Sequence, residues 1–277
     1  MEEVINGILI REVETKNIMT KSSLPVGGYS VNPYVGCTHA CKYCYASFMK
    51  RFTGHKEEWG TFLDVKHWPE IKNPKKYAGQ RVVIGSVTDG YNPQEEQFGN
   101  TRKLLEQLIG SDADILICTK SDLVVRDIDL LKKHGRVTVS WSINTLDENF
   151  KNDMDSASSI ERRISAMKQV YEAGIRTVCF VSPVFPGITD FEAIFERVKD
   201  QCDLFWLENL NLRGGFKKTI MDYIAGKYPD LVPLYDEIYN KHNRSYFEAL
   251  EVKAEKMAKK YDCAFVDNEM PYGRVPQ

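Results

Sequence analysis

The 277-residue chain is 43% hydrophobic and 27% charged, with a formal net charge of −2. That length fits one large α/β domain or two small ones, with apolar material for a sizeable core. Its apolar runs are strand-sized (Ile115–Cys118, Thr177–Val181), short of the ~18 residues of a membrane span, and its charge disfavours a broad nucleic-acid-binding face while leaving a local basic groove open.

The N-terminal Met-Glu-Glu-Val lacks the charged and apolar regions of an export signal. Unpaired cysteines without targeting point to the reducing cytoplasm. Residues 1–28 read as an N-terminal extension, followed by a strand over Tyr29–Val35. Directly after it stands Cys37-Thr-His-Ala-Cys41-Lys-Tyr-Cys44, a C-x3-C-x2-C array with an aromatic before the last cysteine. Three thiolates can hold three corners of a [4Fe–4S] cube. The fourth iron then stays open to bind a small molecule and pass it an electron. A structural zinc site is the alternative, but it wants a second paired cluster. Cys118, Cys179, Cys202 and Cys263 are scattered singly. Seven cysteines is also an odd count for disulfides.

Beyond the array a strand-then-helix rhythm recurs. Arg81–Val87 is a strand followed by a helix at Asn100–Ile109. Asp114–Cys118 is followed by Val125–Lys133, and Val137–Ile143 by Ser159–Ala173, which Gly174 caps. Arg176–Ser182 is followed by Phe191–Asp200, and Leu204–Leu207 closes the series. Short β-branched runs alternating with helical patterns predict βαβ units and a parallel sheet. With Tyr29–Val35 there are six such units, short of the eight of a closed barrel. The expected fold is α/β, an open partial (β/α)6 barrel over 29–215. From Phe216 to the end the chain reads as a mostly helical extension (216–277), broken near Pro229, Pro233 and Asn240–Asn243.

Polar residues collect at the carboxyl ends of these strands, where parallel α/β folds place their sites. Thr88-Asp89-Gly90-Tyr91 follows the second strand and Thr119-Lys120-Ser121 the third. Ser140, Ser142 and Asn144 alternate at the end of the fourth and so share a face. Ser182 ends the fifth, and Glu208, Asn209, Asn211 and Arg213 follow the sixth. Each alone reads equally as turn chemistry or a helix cap. Six in succession predict a lined cavity.

Together the cysteine array and the segments NPYVGCTHACKYCYA, SVTDGYNPQEEQFGNTRKLLEQL, ICTKSDLVVRDIDLL, VSWSINTLDENF and SPVFPGITD resemble the radical S-adenosylmethionine (radical SAM) superfamily. Within it they look most like the spore photoproduct lyase-like branch, in register from about Asn32 to Asp190. WLENLNLRGG extends the likeness, which is nearest to the group called radical SAM mobile pair protein B. The resemblance implies a [4Fe–4S] cluster on Cys37, Cys41 and Cys44, with SAM chelating the open iron. It also implies reductive cleavage of SAM to a 5′-deoxyadenosyl radical that takes hydrogen from a substrate. A low-potential electron donor of flavodoxin or ferredoxin type and a separately encoded radical SAM partner follow from the same likeness. The competing readings are a non-catalytic iron–sulfur or zinc protein and, among enzymes, a lyase or repair activity on a nucleotide or nucleic-acid lesion.

Residue roles carry over position by position. Tyr43 and Tyr45 flank the cluster and adenine; Thr88, Lys120 and Ser142 match SAM-contacting positions, with Lys120 suited to the SAM carboxylate. Asp89 is a candidate for the ribose or the SAM amine, and Asn144 shares the face of Ser142. The branch usually reads Asp-Pro-Tyr where this chain has Asp89-Gly90-Tyr91. The lyase that repairs spore thymine dimers carries a hydrogen-donating cysteine two residues before its SAM-contacting hydroxyl. Ser86 stands at that place here, and its O–H is too strong a bond to serve. Cys118, two residues before Lys120 on the same strand face, is the substitute hydrogen donor; a small buried core cysteine is its plainer reading. Glu208, Asn209, Asn211 and Arg213 are the substrate-side candidates, with Arg213 and Glu208 equally readable as a structural ion pair.

Overall fold

The computed structural model describes residues 2–22, 28–261 and 265–266. Among the described residues twelve strands fall into two sheets: β1 (Glu2–Ile5), β2 (Ile8–Glu14), β3 (Thr20–Lys21), β4 (Tyr29–Val31), β5 (Tyr34–Val35), β6 (Phe62–His67), β7 (Arg81–Ile84), β8 (Asp114–Thr119), β9 (Arg136–Ser142), β10 (Arg176–Val184), β11 (Leu204–Asn209) and β12 (Phe265–Val266). The larger sheet has the order β12-β11-β10-β9-β8-β7-β4-β3. From β4 to β12 every pairing is parallel, and β3 closes one edge antiparallel to β4. This is the partial barrel that the sequence predicts, with all six expected strands present and β12 added beside β11.

Alternation along the strands builds two apolar faces. Val82, Ile115, Val139, Trp141, Cys179 and Phe205 join one core with the helices, including Leu104, Met167 and Ile194. Val83, Leu116, Val178, Phe180, Leu204 and Trp206 form a second cluster on the other face, with Cys118 packed against it. Fully burying a side chain of this size is worth roughly 1.5–3 kcal/mol. Cys118 therefore faces the barrel interior, whereas Cys179 faces the helices.

The helix Ile160–Glu172 starts at Ser159, whose hydroxyl accepts from Arg162 N at 3.3 Å, and ends before Gly174 at φ 77°. The expected helix at Val125–Lys133 is a 3-10 stretch, Leu123–Asp127, leading into Ile128–Leu131. In the C-terminal part, helices span Phe216–Lys227, Val232–Tyr239 and Ser245–Tyr261. Pro233 lies in the first turn of the second of these rather than breaking it, where its missing N–H costs nothing.

Two differences from the sequence expectation bear on the site. The strand over Tyr29–Val35 is divided at Asn32-Pro33, and its second part pairs instead with β6 in a four-stranded sheet ordered β1-β2-β6-β5. The strand Arg81–Val87 ends at Ile84 because Gly85 turns away at φ 89°, where a Cβ would stand 2.5 Å from the Cys118 carbonyl oxygen. No helix among the described residues is long and apolar enough to cross a membrane. Cys263 and residues 23–27 and 267–277 of the two terminal extensions lie outside the described residues.

Candidate active site

The cysteine loop leaves β5 through Gly36, held at φ 87°. A Cβ there would stand 2.4 Å from the Phe62 carbonyl oxygen, so the close passage of the loop over β6 requires glycine. Backbone turns bind Ala40 N to Cys37 O at 3.2 Å and Cys44 N to Cys41 O at 3.1 Å. From the other side the segment 154–156 clamps the loop. Lys42 N donates to Met154 O at 2.9 Å, and Ser156 N donates to His39 O at 2.8 Å. The Tyr43 hydroxyl donates to Asp155 at 3.1 Å while its ring meets Phe185 edge-on. Arg163, fully buried, donates to Asp155 at 2.8 Å and to the Ser142 carbonyl at 3.1 Å. Burial pushes the Asp155 carboxyl up, but Arg163, Lys120 and Lys151 together hold it below the usual range.

Asp89 is the second anchor. Its carboxylate takes His39 Nε2 at 3.0 Å, Tyr91 N at 2.8 Å, Lys120 N at 2.7 Å, and the Thr119 hydroxyl at 2.9 and 3.1 Å. Burial opposes its ionisation, and His39 with these N–H donors wins, holding the group below the ordinary carboxylate range. The expected cofactor contact at Asp89 is thus a group whose two oxygens are engaged by the protein itself. Thr88 likewise donates its hydroxyl to the Gly36 carbonyl, and the Tyr45 hydroxyl reaches the Ser86 carbonyl while its ring is exposed.

Above the apolar floor the inner face turns polar. Cys118 and Ser140 are register partners on β8 and β9. Burial and the Asp89 carboxylate push the Cys118 thiol up to about 12, so it stays S–H at neutral pH. The Lys120 ammonium lies 5.7 Å from the centre of the Tyr43 ring and has no ion-pair partner among the described residues. It nonetheless acts electrostatically on Cys41, Cys44 and Glu208. The Ser182 hydroxyl donates to the Glu208 carboxylate, whose pKa burial raises against the pull of Ser182 and Lys120. Ser140 Oγ, Asn144 Nδ2, Trp206 Nε1 and Asn209 Oδ1 are buried without a hydrogen-bond partner. Strand alternation puts Ser140, Asn144 and Trp206 on the inner face and Asn209 on the face of Leu207. Buried polar atoms are normally satisfied, so the three unpaired on the inner face mark a place for a polar ligand. Asn211 and Arg213 lie exposed on the loop after β11. Among the described residues Arg213 makes no ion pair with Glu208.

The donor set fits an iron–sulfur cluster. Burial raises all three loop thiols above the usual range, and Cys41 feels both Cys37 and Cys44, so the three sulfurs share one small space. Among the described residues no three His, Cys, Asp or Glu converge on a single-ion position. A cube that takes one thiolate on each of three irons does not need that convergence. His39 Nδ1 is also buried without a partner, and the Trp59 side chain approaches the Cys44 sulfur, where its N–H favours the thiolate.

The family description that matches this chain is that of the radical SAM superfamily, over residues 31–198. The chain belongs to the radical SAM superfamily. An uncharacterized protein of Methanocaldococcus jannaschii is 36% identical, over 84% of this chain and 88% of the relative. A radical SAM Nalpha-GlyT isomerase of Pseudomonas phage M6 is 27% identical over 63% of this chain and 36% of its own length. A spore photoproduct lyase variant with bound AdoMet and dinucleoside spore photoproduct superposes with a TM-score of 0.58 at 19% identity. That match covers 79% of this chain and 66% of the lyase, and it shows the shared fold. This radical SAM enzyme uses the family's [4Fe–4S] cluster and SAM, with Cys37, Cys41 and Cys44 as the residues that would hold the cluster. When bound, the pair supplies one-electron cleavage of a SAM C–S bond to a 5′-deoxyadenosyl radical; the protein supplies placement and exclusion of water.

Sequence reading missed Asp155, Arg163 and Trp206. Arg163 carried a signal: it stands at the core phase of a helix, between Ile160 and Ile164 on the buried face. Asp155 carried none, since an Asp after a short helix reads as an ordinary loop residue.

Proposed function

We propose that this radical SAM enzyme takes hydrogen from an organic substrate held in the barrel mouth between Cys118, Trp206 and Glu208. The observation that carries the reading is the set of unpartnered buried polar atoms on Ser140, Asn144 and Trp206 on the inner face of the barrel, where Trp206 belongs to the apolar cluster that Cys118 packs against. In this reading Lys120, Ser142 and Asn144 hold SAM, with the free ammonium of Lys120 on its carboxylate. Tyr43 and Tyr45 border cluster and adenine, while Thr88 and Asp89 fix the loop that carries the cysteines. Glu208 and Asn209 meet the substrate, and Asn211 and Arg213 stand at its entrance. The Cys118 S–H gives hydrogen to the product radical: S–H breaks, C–H forms, and one electron from the reductant plus one proton restore the thiol. The reductant is of flavodoxin or ferredoxin type, a second radical SAM protein is the partner, and the setting is cytoplasmic.

A nucleotide-type substrate is favoured by the structural neighbour's dinucleoside ligand. Repair by hydrogen donation from position 86 is not favoured, because Ser86 has an O–H bond too strong to serve; its hydroxyl is instead hydrogen-bonded with Ser30 at 2.5 Å and Asn32 at 3.2 Å. The test is anaerobic. Reconstituted wild type with SAM and dithionite forms 5′-deoxyadenosine, and Cys44→Ala forms none. Formation by both, or by neither with about four irons per chain and candidate nucleotides present, would overturn the reading. Cys118→Ala keeps 5′-deoxyadenosine formation and loses solvent deuterium from the product.

A further inference from the structure

The 3-10 helix Tyr45–Phe52 begins one residue after Cys44. Its Tyr45, Phe48 and Phe52 are 56%, 42% and 70% exposed. The Arg51 guanidinium lies over both phenylalanine rings, 5.3 Å from Phe48 and 5.0 Å from Phe52. Lys50, Arg51 and Lys56 are the lysines and arginine of this stretch, and among the described residues none forms an ion pair; Lys50 donates instead to the Lys56 carbonyl at 2.9 Å, while Lys42, ahead of the helix, lies over the Tyr223 ring at 5.9 Å. Only two carboxylates lie between Lys42 and Trp59 in the sequence, Glu57 and Glu58. Glu57 is taken by His55 at 2.9 Å. Two phenylalanine rings, Phe48 and Phe52, held in water beside unpaired cations are costly for a free surface and are the composition of an interface anchor.

We propose that this helix docks the acidic one-electron carrier protein that reduces the cluster. Two observations select that occupant. The electron must reach iron held by Cys44, and the patch starts at the next residue. The uncompensated positive charge complements a negatively charged partner and would steer its approach. The proposal rests on the radical SAM reading and goes beyond it by giving the electron an entry face.

The experiment follows bleaching of the cluster absorbance in the reconstituted enzyme without SAM, with reduced flavodoxin or with dithionite. Arg51→Glu and Phe52→Ala each slow reduction by flavodoxin by roughly tenfold. Arg51→Glu also flattens its salt dependence. Dithionite, a small molecule with no docking needs, reduces all variants at one rate. Lys75→Glu, at an exposed position of the 3-10 turn Pro74–Tyr77, behaves as wild type. Unchanged flavodoxin rates, or equal slowing with dithionite or with Lys75→Glu, would overturn the proposal. Binding of a single-stranded oligodeoxynucleotide that Arg51→Glu abolishes, with flavodoxin reduction unaffected, would reassign the patch to nucleic acid. If dithionite bleaches nothing in any variant, the cluster reading beneath the proposal is what fails.

Discussion

His39 Nε2 lies 3.0 Å from Asp89 Oδ2, with both side chains buried, and this contact joins the cysteine loop to the ends of β7 and β8. His39 sits between Cys37 and Cys41, while Asp89 also accepts from Lys120 N. One carboxylate thereby sets the position of the cluster loop relative to the strand end that carries Lys120.

Replacing Asp89 by Ala leaves His39, Thr119 and two backbone N–H groups without their acceptor. Breaking a buried pair of this kind costs about 3–5 kcal/mol. Chemical unfolding of the apoprotein measures the loss, and iron and sulfide content after reconstitution falls with it. Normal stability and full iron in this variant would show that the joint is dispensable.

Arg163→Met removes the nearest cation from buried Asp155, leaving Lys151 at 3.7 Å, and frees the Ser142 and Ser158 carbonyls, at about 3 kcal/mol. Tyr43→Phe removes one hydrogen bond to the same carboxylate and costs about 1 kcal/mol. The two are coupled through Asp155, so their effects do not add. A double-mutant cycle by denaturant unfolding checks this, and strict additivity would refute the shared network.

Glu208 provides a pH signature. Burial raises its folded pKa above the ordinary carboxyl value, which is ~4.3. Its contribution to stability is therefore fully present below the unfolded pKa and is lost as pH rises through the folded one. Glu208→Gln does not ionise. The melting temperature of the Gln variant should gain on wild type as pH rises from about 4, then hold a constant lead. A gap independent of pH, or one that opens on acidification, contradicts the burial of this carboxyl.

Gly36→Ala places a methyl group against the Phe62 carbonyl at a backbone angle that favours glycine. The expected outcome is a chain that retains its helical circular dichroism but loads substantially less iron. Loading equal to wild type would mean that the loop can move off β6 without disturbing the cysteines.

Much of the site was readable because it is local. The cysteine spacing lies within eight residues, and Cys118 with Lys120 follows from the two-residue period of a strand. The unreadable parts depend on chain segments far apart. Asp89 before a glycine looks like a turn residue until donors from two other segments, the cysteine loop and the end of β8, converge on it. The second sheet was missed because Pro33 divides what reads as one strand, and its partner, β6, lies beyond the whole cysteine loop.

From the residues alone came the order of strands and helices, the face on which each strand residue falls, and the three cysteines that would hold the cluster. These are consequences of period and spacing, which act over a few residues. Only the tertiary structure decided that Tyr43 answers to Asp155, that His39 answers to Asp89, and that polar atoms of Ser140, Asn144 and Trp206 stay unpaired on the inner face. Those relations arise when parallel crossovers bring distant strand ends together, where burial forces each polar group to find a partner or wait for a ligand.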